Sequence, residues 1–376
     1  MRNPFVIREI EADEPFCDRT VELRELASYA SSFSNVVLYS PRRYGKTSLI
    51  KRVQKELQDK GVMTIYADFF GLVSIGEVAN RLAEHLYAYC HKDESLFKKA
   101  MKFIKIWRPV IRPDPDSGFQ ITVEQTTQHS GLDLLKETFD LFGAFAREHM
   151  NGFHVVLDEF QEITTLKDSV KIEGVLRSQI QTHRNVSYFF VGSRRRLLLD
   201  MFNEQKRPFY KSTVNYPLDP LPRKEAVEFI VDRFLAGGKE CPSEIAELVY
   251  DRVGGYPYYI QRIPFDMWEQ SDEKTMTARD CEKALSSIVK IDTPFYESIL
   301  SGLSIIQKQL LYALAKEPFP NPLNPKFMIR HKFTSPGSTQ AAHKKLITLD
   351  LVERSDDDGR YRVIDPLFDS YLKRGW

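Results

Sequence analysis

The stretch Val36-Val37-Leu38-Tyr39-Ser40-Pro41-Arg42-Arg43-Tyr44-Gly45-Lys46-Thr47-Ser48-Leu49-Ile50 decides how this chain folds. Its first four residues are apolar or β-branched, the composition of a short buried strand. Ser40-Pro41 breaks that run as a turn does. From Thr47 onward Leu49, Ile50, Val53 and Leu57 recur on one helical face, and Gly61 offers a stop. A helix that begins straight after such a turn aims its free N–H groups and positive dipole end at whatever the turn holds. Gly45 lets the backbone pass close to an oxyanion, Lys46 adds a compact cation, and the Thr47 hydroxyl can ligate Mg²⁺. The frame Ser40 to Thr47 therefore reads as a phosphate-binding loop, G-x-x-x-x-G-K-[ST], with Ser40 in the place of the first glycine. The competing reading, a turn that happens to hold a lysine, is weakened by the strand before it and the helix after it. Ser40, Pro41, Arg42, Arg43, Tyr44, Gly45, Lys46, Thr47 and Ser48 are expected to bind ATP.

Downstream, strands and helices alternate. Met63 to Phe70 reads as a strand, Leu72 to Tyr89 as a helix, Leu132 to Glu148 as a helix, Phe153 to Leu157 as a buried strand, Ile172 to His183 as a helix and Ser187 to Val191 as a buried strand. That order predicts a parallel sheet covered on both faces. Between the first helical pair, Lys92 to Lys105 is basic and helix-like. The breakers Pro109, Pro113, Pro115 and Gly118 then lead into the alternating Phe119-Gln120-Ile121-Thr122-Val123, which predicts an inserted hairpin near 106–130.

The strand Phe153 to Leu157 ends on Asp158-Glu159. Two adjacent acids at the end of an apolar strand are costly to bury unless something uses them. Beside a phosphate loop, Asp158 would join Thr47 in holding Mg²⁺, and Glu159 would polarise the attacking water. The plainer alternative is a polar strand end with helix-capping acids.

After about Leu221 the strands stop. Arg223 to Ala236, Ser243 to Val253, Tyr258 to Gln270 and Ala278 to Val289 have helical spacing, and Pro264 should kink the third. From about Ser304 the pattern is three helices and a two-strand ribbon, Leu351 to Ser355 and Arg360 to Ile364, joined through Asp356-Asp357-Asp358-Gly359. That order suggests a winged helix. The expected organisation is an α/β P-loop core over 1–220, a helical lid over 221–290 and a winged helix over 291–376.

Composition sets further bounds. The 53 Lys and Arg balance 52 Asp and Glu, so whole-chain charge draws the protein to neither nucleic acid nor membrane. Cys17, Cys90, Cys241 and Cys281 form no C-x-x-C pair, which argues against zinc and a disulfide framework. The N-terminus lacks a signal-like apolar core, and no apolar run approaches the ~18 residues of a membrane span. A cytoplasmic protein is expected.

With these residues in hand, the chain resembles the archaeal-type ATPase family, a branch of the AAA+ and STAND P-loop ATPases. Phe16-Cys17-Asp18-Arg19 with Glu22-Leu23 is similar to the family's F-x-G-R-x-x-E-L, with Asp18 in place of glycine. Arg42-Arg43-Tyr44-Gly45-Lys46-Thr47-Ser48-Leu49 is similar to its R-R-x-G-K-T-S-L, and Leu157-Asp158-Glu159-Phe160-Gln161 to its Walker B segment. The resemblance implies an AAA+-type sheet and Mg²⁺-dependent ATP hydrolysis, with Lys46 and Glu159 as catalytic residues. It places Ser193 and Arg194 where relatives carry a γ-phosphate sensor; a solvated basic helix start is the alternative. It also matches Gly255-Tyr256-Pro257 to the G-x-P of STAND lids, so Pro257 is expected beside the nucleotide, unless it only restarts a helix. Arg207 falls near a proline-aromatic stretch, where a surface arginine is favoured over a trans-acting finger.

The winged helix offers Gln340, His343, Lys344 and Lys345 on Ser335 to Leu349. From Ser301 to Trp376, twelve Lys and Arg stand against eight Asp and Glu, a net of +4. The acidic wing tip Asp356-Asp357-Asp358 would be repelled by a DNA backbone. Packing, autoinhibition, a protein partner or self-assembly is therefore favoured over DNA. The Lys98 to Arg112 stretch, around Phe103 and Trp107, is the other basic-aromatic segment, and a solvated helix face is its simpler reading. Three functions compete: a nucleotide-driven switch, an ATP-regulated DNA-binding protein, and a nucleotide-binding scaffold whose Ser40 slows turnover.

Overall fold

The computed structural model describes residues 2–12, 14–90, 107–114, 118–125, 130–148, 151–355 and 358–374. The chain divides into two units. One comprises Thr20–Ser40 and Lys46–Leu218; the other comprises Met1–Arg19, Pro41–Gly45 and Asp219–Trp376.

The first unit runs α1 (Thr20–Ser31), β1 (Val36–Tyr39), α2 (Lys46–Asp59), β2 (Met63–Asp68), α3 (Ile75–Cys90), β3 (Trp107–Asp114), β4 (Gly118–Gln125), α4 (Gly131–Glu148), β5 (Phe153–Asp158), a 3-10 turn (Phe160–Thr165), α5 (Ser169–Ile180), β6 (Val186–Gly192), α6 (Arg195–Asn203) and β7 (Val214–Pro217). Five strands form a parallel sheet in the order β2-β5-β6-β1-β7. Every residue of β5 and β6 is buried, which is why both read as continuous apolar runs. β3 and β4 pair as the antiparallel hairpin expected from the sequence.

Among the elements of this unit that were not foreseen are α1 and β7. α1 buries only Leu26, Ala27 and Ala30, too thin an apolar stripe to stand out. β7, Val-Asn-Tyr-Pro, is largely exposed and becomes a strand only because β1 offers its free edge. Aromatic rings fill the core under β6: Phe160 to Phe190 at 4.6 Å, Phe190 to Phe202 at 4.9 Å and Phe202 to Phe209 at 5.1 Å.

His154 is wholly buried in β5, with Nδ1 2.7 Å from Ser187 Oγ. Burial pushes its imidazole down to about 3, and His183 down to about 4. An unfolded histidine takes its proton near pH ~6.5. The folded state therefore loses stability as pH falls below that value towards 3. Burial raises Glu173 to about 7, so its contribution has the opposite sign: present below its unfolded value and lost as pH rises through 7. The urea midpoint is expected to drop between pH 7 and pH 5, and His154→Asn, which keeps a partner for Ser187, should drop less. Equal losses in both proteins would assign the effect to other groups.

The second unit is helical, with α7 (Arg223–Ala236), α8 (Ser243–Val253), α9 (Pro257–Gln270), α10 (Ala278–Ser301), α11 (Ile305–Lys316), α12 (Pro325–Arg330), α13 (Pro336–Thr348), the hairpin β8 (Val352–Arg354) and β9 (Tyr361–Val363), and α14 (Pro366–Arg374). The N-terminal segment belongs here: Phe5 packs edge-on against Phe234 at 4.9 Å, and Arg233 Nε donates to Pro4 O at 3.0 Å. α9 continues through Pro264. α10 is longer than its sequence pattern suggested, running past residue 290 and through Pro294. Capping boxes start α10 at Thr277 and α11 at Ser304. α14 was not foreseen; Asp365 begins it, accepting from the N–H of Leu367 and of Phe368 at 2.9 Å each. Among the described residues, no helix is long and apolar enough to cross a membrane.

Candidate nucleotide site

In the sheet unit, the connection leaving β1 runs to the far edge at β2, whereas the one leaving β6 runs to β7 on the opposite side. Such a reversal leaves a crevice beyond the carboxyl ends of adjacent parallel strands. The residues singled out in the sequence end these strands: Ser40 after β1, Asp158 and Glu159 at β5, Ser193 after β6.

Lys46 is almost buried, and its Nζ donates to Ser40 O at 3.2 Å and to Ser40 Oγ at 3.3 Å. The serine that replaces the first glycine thus helps hold the lysine. Thr47 Oγ1 donates to Asp158 Oδ2 at 3.3 Å, and the Glu159 N–H donates to Asp158 Oδ1 at 2.8 Å. Burial pushes the Asp158 carboxyl up, and hydrogen bonds from Tyr66 and the Glu159 N–H offset part of that rise. The Tyr66 hydroxyl donates to Asp158 Oδ2. Sequence reasoning missed Tyr66 because its reach depends on β2 pairing with β5, which sets Asp68 beside Asp158.

Glu159 has φ 50° and ψ 39°, a left-handed backbone that costs a non-glycine residue about 1–3 kcal/mol. Its carboxylate accepts from Ser193 Oγ at 2.9 and 3.0 Å, from the Ser193 N–H at 3.4 Å and from Gln161 Nε2. Of the two sensor candidates, Ser193 therefore joins the carboxylates. Arg194 Nη1 instead lies 3.4 Å from Glu162 Oε1. Arg207 is not the surface arginine expected: its Nη2 meets Glu173 Oε1 at 2.5 Å, and Glu173 is fully buried. The ion pair with a buried acid explains its placement.

Thr47 and Asp158 supply a hydroxyl and a carboxylate at one point, the hard oxygen donors that suit Mg²⁺. Among the described residues, no group of three or more His, Cys, Asp and Glu gathers to hold a metal by itself.

In the helical unit, the loop residues Pro41–Gly45 have Arg43 at φ 63° and Gly45 at φ 79°. The Tyr256 hydroxyl donates to Arg42 O at 2.6 Å, the Tyr44 and Tyr256 rings meet edge-on at 4.7 Å, and the Arg43 guanidinium lies 4.3 Å from the Tyr258 ring centre. Pro257, expected beside the nucleotide, is the first residue of α9 and stands between these two tyrosines. Tyr259, 5.3 Å from Tyr256 ring to ring, donates to both Asp365 oxygens at 2.8 and 3.0 Å. The bonds of Tyr256 to Arg42 and of Tyr259 to Asp365 were not predicted, because they join residues more than 100 positions apart.

On the winged helix Gln340, Lys344 and Lys345 are exposed, while the His343 ring packs edge-on to Tyr361 at 4.3 Å. Arg354 Nε donates to Gly359 O at 3.0 Å, Arg362 pairs with Glu353 at 3.3 Å and Arg360 with Asp358 at 3.8 Å. Lys98 to Lys105, and the wing-tip Asp356 and Asp357, lie outside the described residues.

Comparison with known proteins bears on family and fold. The family model of an ATPase domain predominantly from Archaea matches residues 16–263, and that of a probable winged helix domain matches residues 294–374. No curated protein matches the sequence. Among solved structures, a Walker-type ATPase of Pyrococcus abyssi is similar, with a TM-score of 0.71 at 18% identity over 98% of this chain and 99% of that one. The ORC2 protein of Aeropyrum pernix, solved in ADPNP and ADP complexes, gives 0.56 at 17% identity over 96% and 95%. The ORC1 protein of Aeropyrum pernix, solved with DNA, gives 0.51 at 15% identity over 100% and 97%. At these identities the likeness is one of fold.

Proposed function

The chain belongs to the family of ATPase domains found predominantly in Archaea, and from that premise we propose that it is an ATP-hydrolysing switch of the AAA+/STAND type whose winged helix responds to the nucleotide. Gly45, Lys46 and the first turn of α2 grip the phosphates. Thr47 and Asp158 would hold Mg²⁺, which when bound neutralises charge on the phosphoryl oxygens. Glu159 takes a proton from water as its oxygen bonds to the γ-phosphorus, and the bond to the bridging oxygen of ADP breaks. Ser193 orients Glu159. Arg194, tied to Glu162, is the weaker sensor candidate.

One observation carries the switch. Within the helical unit, a tyrosine cluster reaches from the loop backbone at Arg42 O, through Tyr256 and Tyr259, to Asp365 at the start of α14. Asp365 is half-buried, its carboxyl pushed up by desolvation and held back by donors that include the Phe368 N–H and Tyr259. A nucleotide state that moves Arg42 alters a contact on which a winged-helix cap depends, and only such differential contacts can shift an equilibrium.

Limited proteolysis of the parent and of Tyr259→Phe, each apo, with ADP and with a non-hydrolysable ATP analogue, tests this. Nucleotide-dependent cleavage of the winged helix is expected in the parent and should be blunted in the variant. The same nucleotide dependence in both would remove the reading. The DNA-binding alternative is disfavoured because Arg354, Arg360 and Arg362 of the wing already have partners. Salt-sensitive stimulation of ATP hydrolysis by DNA would reinstate it. The low-turnover scaffold would show nucleotide binding without phosphate release.

A further inference from the structure

Gln161 lies in the 3-10 turn that follows β5 and is fully buried. Its Nε2 donates to Glu159 Oε2, while its buried Oε1 has no hydrogen-bond partner among the described residues. A Cβ added to Gly192, the last residue of β6, would stand 2.0 Å from that Oε1 and 3.1 Å from the Gln161 Cδ. Only glycine leaves room for the amide there. The other close neighbour, Leu198 Cδ2 at 3.1 Å, is the movable end of a side chain.

For folding alone this arrangement is poor. A buried carbonyl without a partner costs free energy, and a methionine of similar shape would not carry that cost. Glycine at the end of a strand adds a second cost. Both accompany a side chain that, among the described residues, joins Ser193 in donating to the Glu159 carboxylate.

The two supports also come from different elements. Ser193 follows β6, whereas Gln161 stands on the turn that Glu159 itself opens. Glu159 has a left-handed backbone, so ordinary strand geometry does not set the direction of its side chain. Donors from two sides do. We propose that Gln161 is a positioning residue for hydrolysis: its amide holds the Glu159 carboxylate against Ser193, and Gly192 is glycine to admit it. This rests on Glu159 being the base that activates water. With the amide removed, Ser193 alone tethers the carboxylate, and a small displacement of a reacting group can cost about 100-fold in rate.

Gln161→Met, Gly192→Ala and the double variant Gln161→Ala/Gly192→Ala test it. Calorimetry gives affinity for a non-hydrolysable ATP analogue, phosphate release gives kcat and KM, and urea gives the unfolding midpoint. Gln161→Met should keep affinity and KM within about twofold, lose about 10–100-fold in kcat, and unfold at or above the parent midpoint. Gly192→Ala should lose both kcat and stability. The double variant should regain the midpoint but not kcat, a split that a packing role would not give. A parent-level kcat in Gln161→Met or in the double variant overturns the assignment. Glu159→Gln measured alongside separates the two ideas. Parent turnover there removes the base, and this inference with it; an inactive Glu159→Gln beside a fully active Gln161→Met removes this inference alone.

Discussion

Glu159→Gln is expected to bind ATP and Mg²⁺ like the parent and to turn over ~10²–10⁴-fold more slowly, the usual loss when a general base is removed. Its carboxylate is anchored by donors alone: Ser193 Oγ, the Ser193 N–H and Gln161 Nε2. Glutamine keeps the shape and one acceptor oxygen, so the fold and the phosphate grip should survive. What it cannot do is accept the proton that water gives up. Single-turnover phosphate release, beside calorimetry with a non-hydrolysable analogue, separates chemistry from binding. A parent rate would show that Glu159 is not the base, and a loss of binding would make it structural.

Lys46→Ala is expected to weaken ATP binding by about 1.5–3 kcal/mol, the worth of a charged hydrogen bond, or roughly 10–150-fold in Kd. Lys46 is nearly buried and already donates to Ser40 O and Ser40 Oγ. These contacts are what a lysine held ready for an anion would have. Removing it strips the positive charge and also leaves a buried serine without that donor. Calorimetric titration of parent and variant with ATP, together with urea unfolding, checks both consequences. Unchanged affinity would defeat the assignment of Lys46 to the phosphates. Ser40→Gly, which restores the usual glycine, should cost far less, since the backbone oxygen remains for Lys46.

Local sequence carried the turn before α2, the buried strands and most helices of the second unit. These features are written in short-range signals: strand composition, a turn with Gly45, and the helical period of Leu49, Ile50, Val53 and Leu57. Asp158-Glu159 was legible for the same reason, since adjacent acids closing an apolar strand are costly without a use. Ser193 could be named from the family resemblance, but its bond to Glu159 could not. It requires β5 and β6 to lie side by side in register.

Tertiary structure decided the rest. β7 is a strand only because β1 has an edge to pair with. Arg194, a sensor candidate, and Arg207, expected at the surface, were given their partners only by the fold, in Glu162 and the buried Glu173. Tyr66 lay in no motif, and the motifs that contain Tyr256 and Gln161 gave neither of them a role. The partners of two of them come from elsewhere in the fold, Asp158 across the sheet and Arg42 some 214 residues away, and that of Gln161 is a neighbour, Glu159, whose side chain is steered by its left-handed backbone. Propensity and periodicity act over a few residues. A buried polar group must be satisfied by whatever the packed chain brings within reach, and only the folded molecule shows what that is.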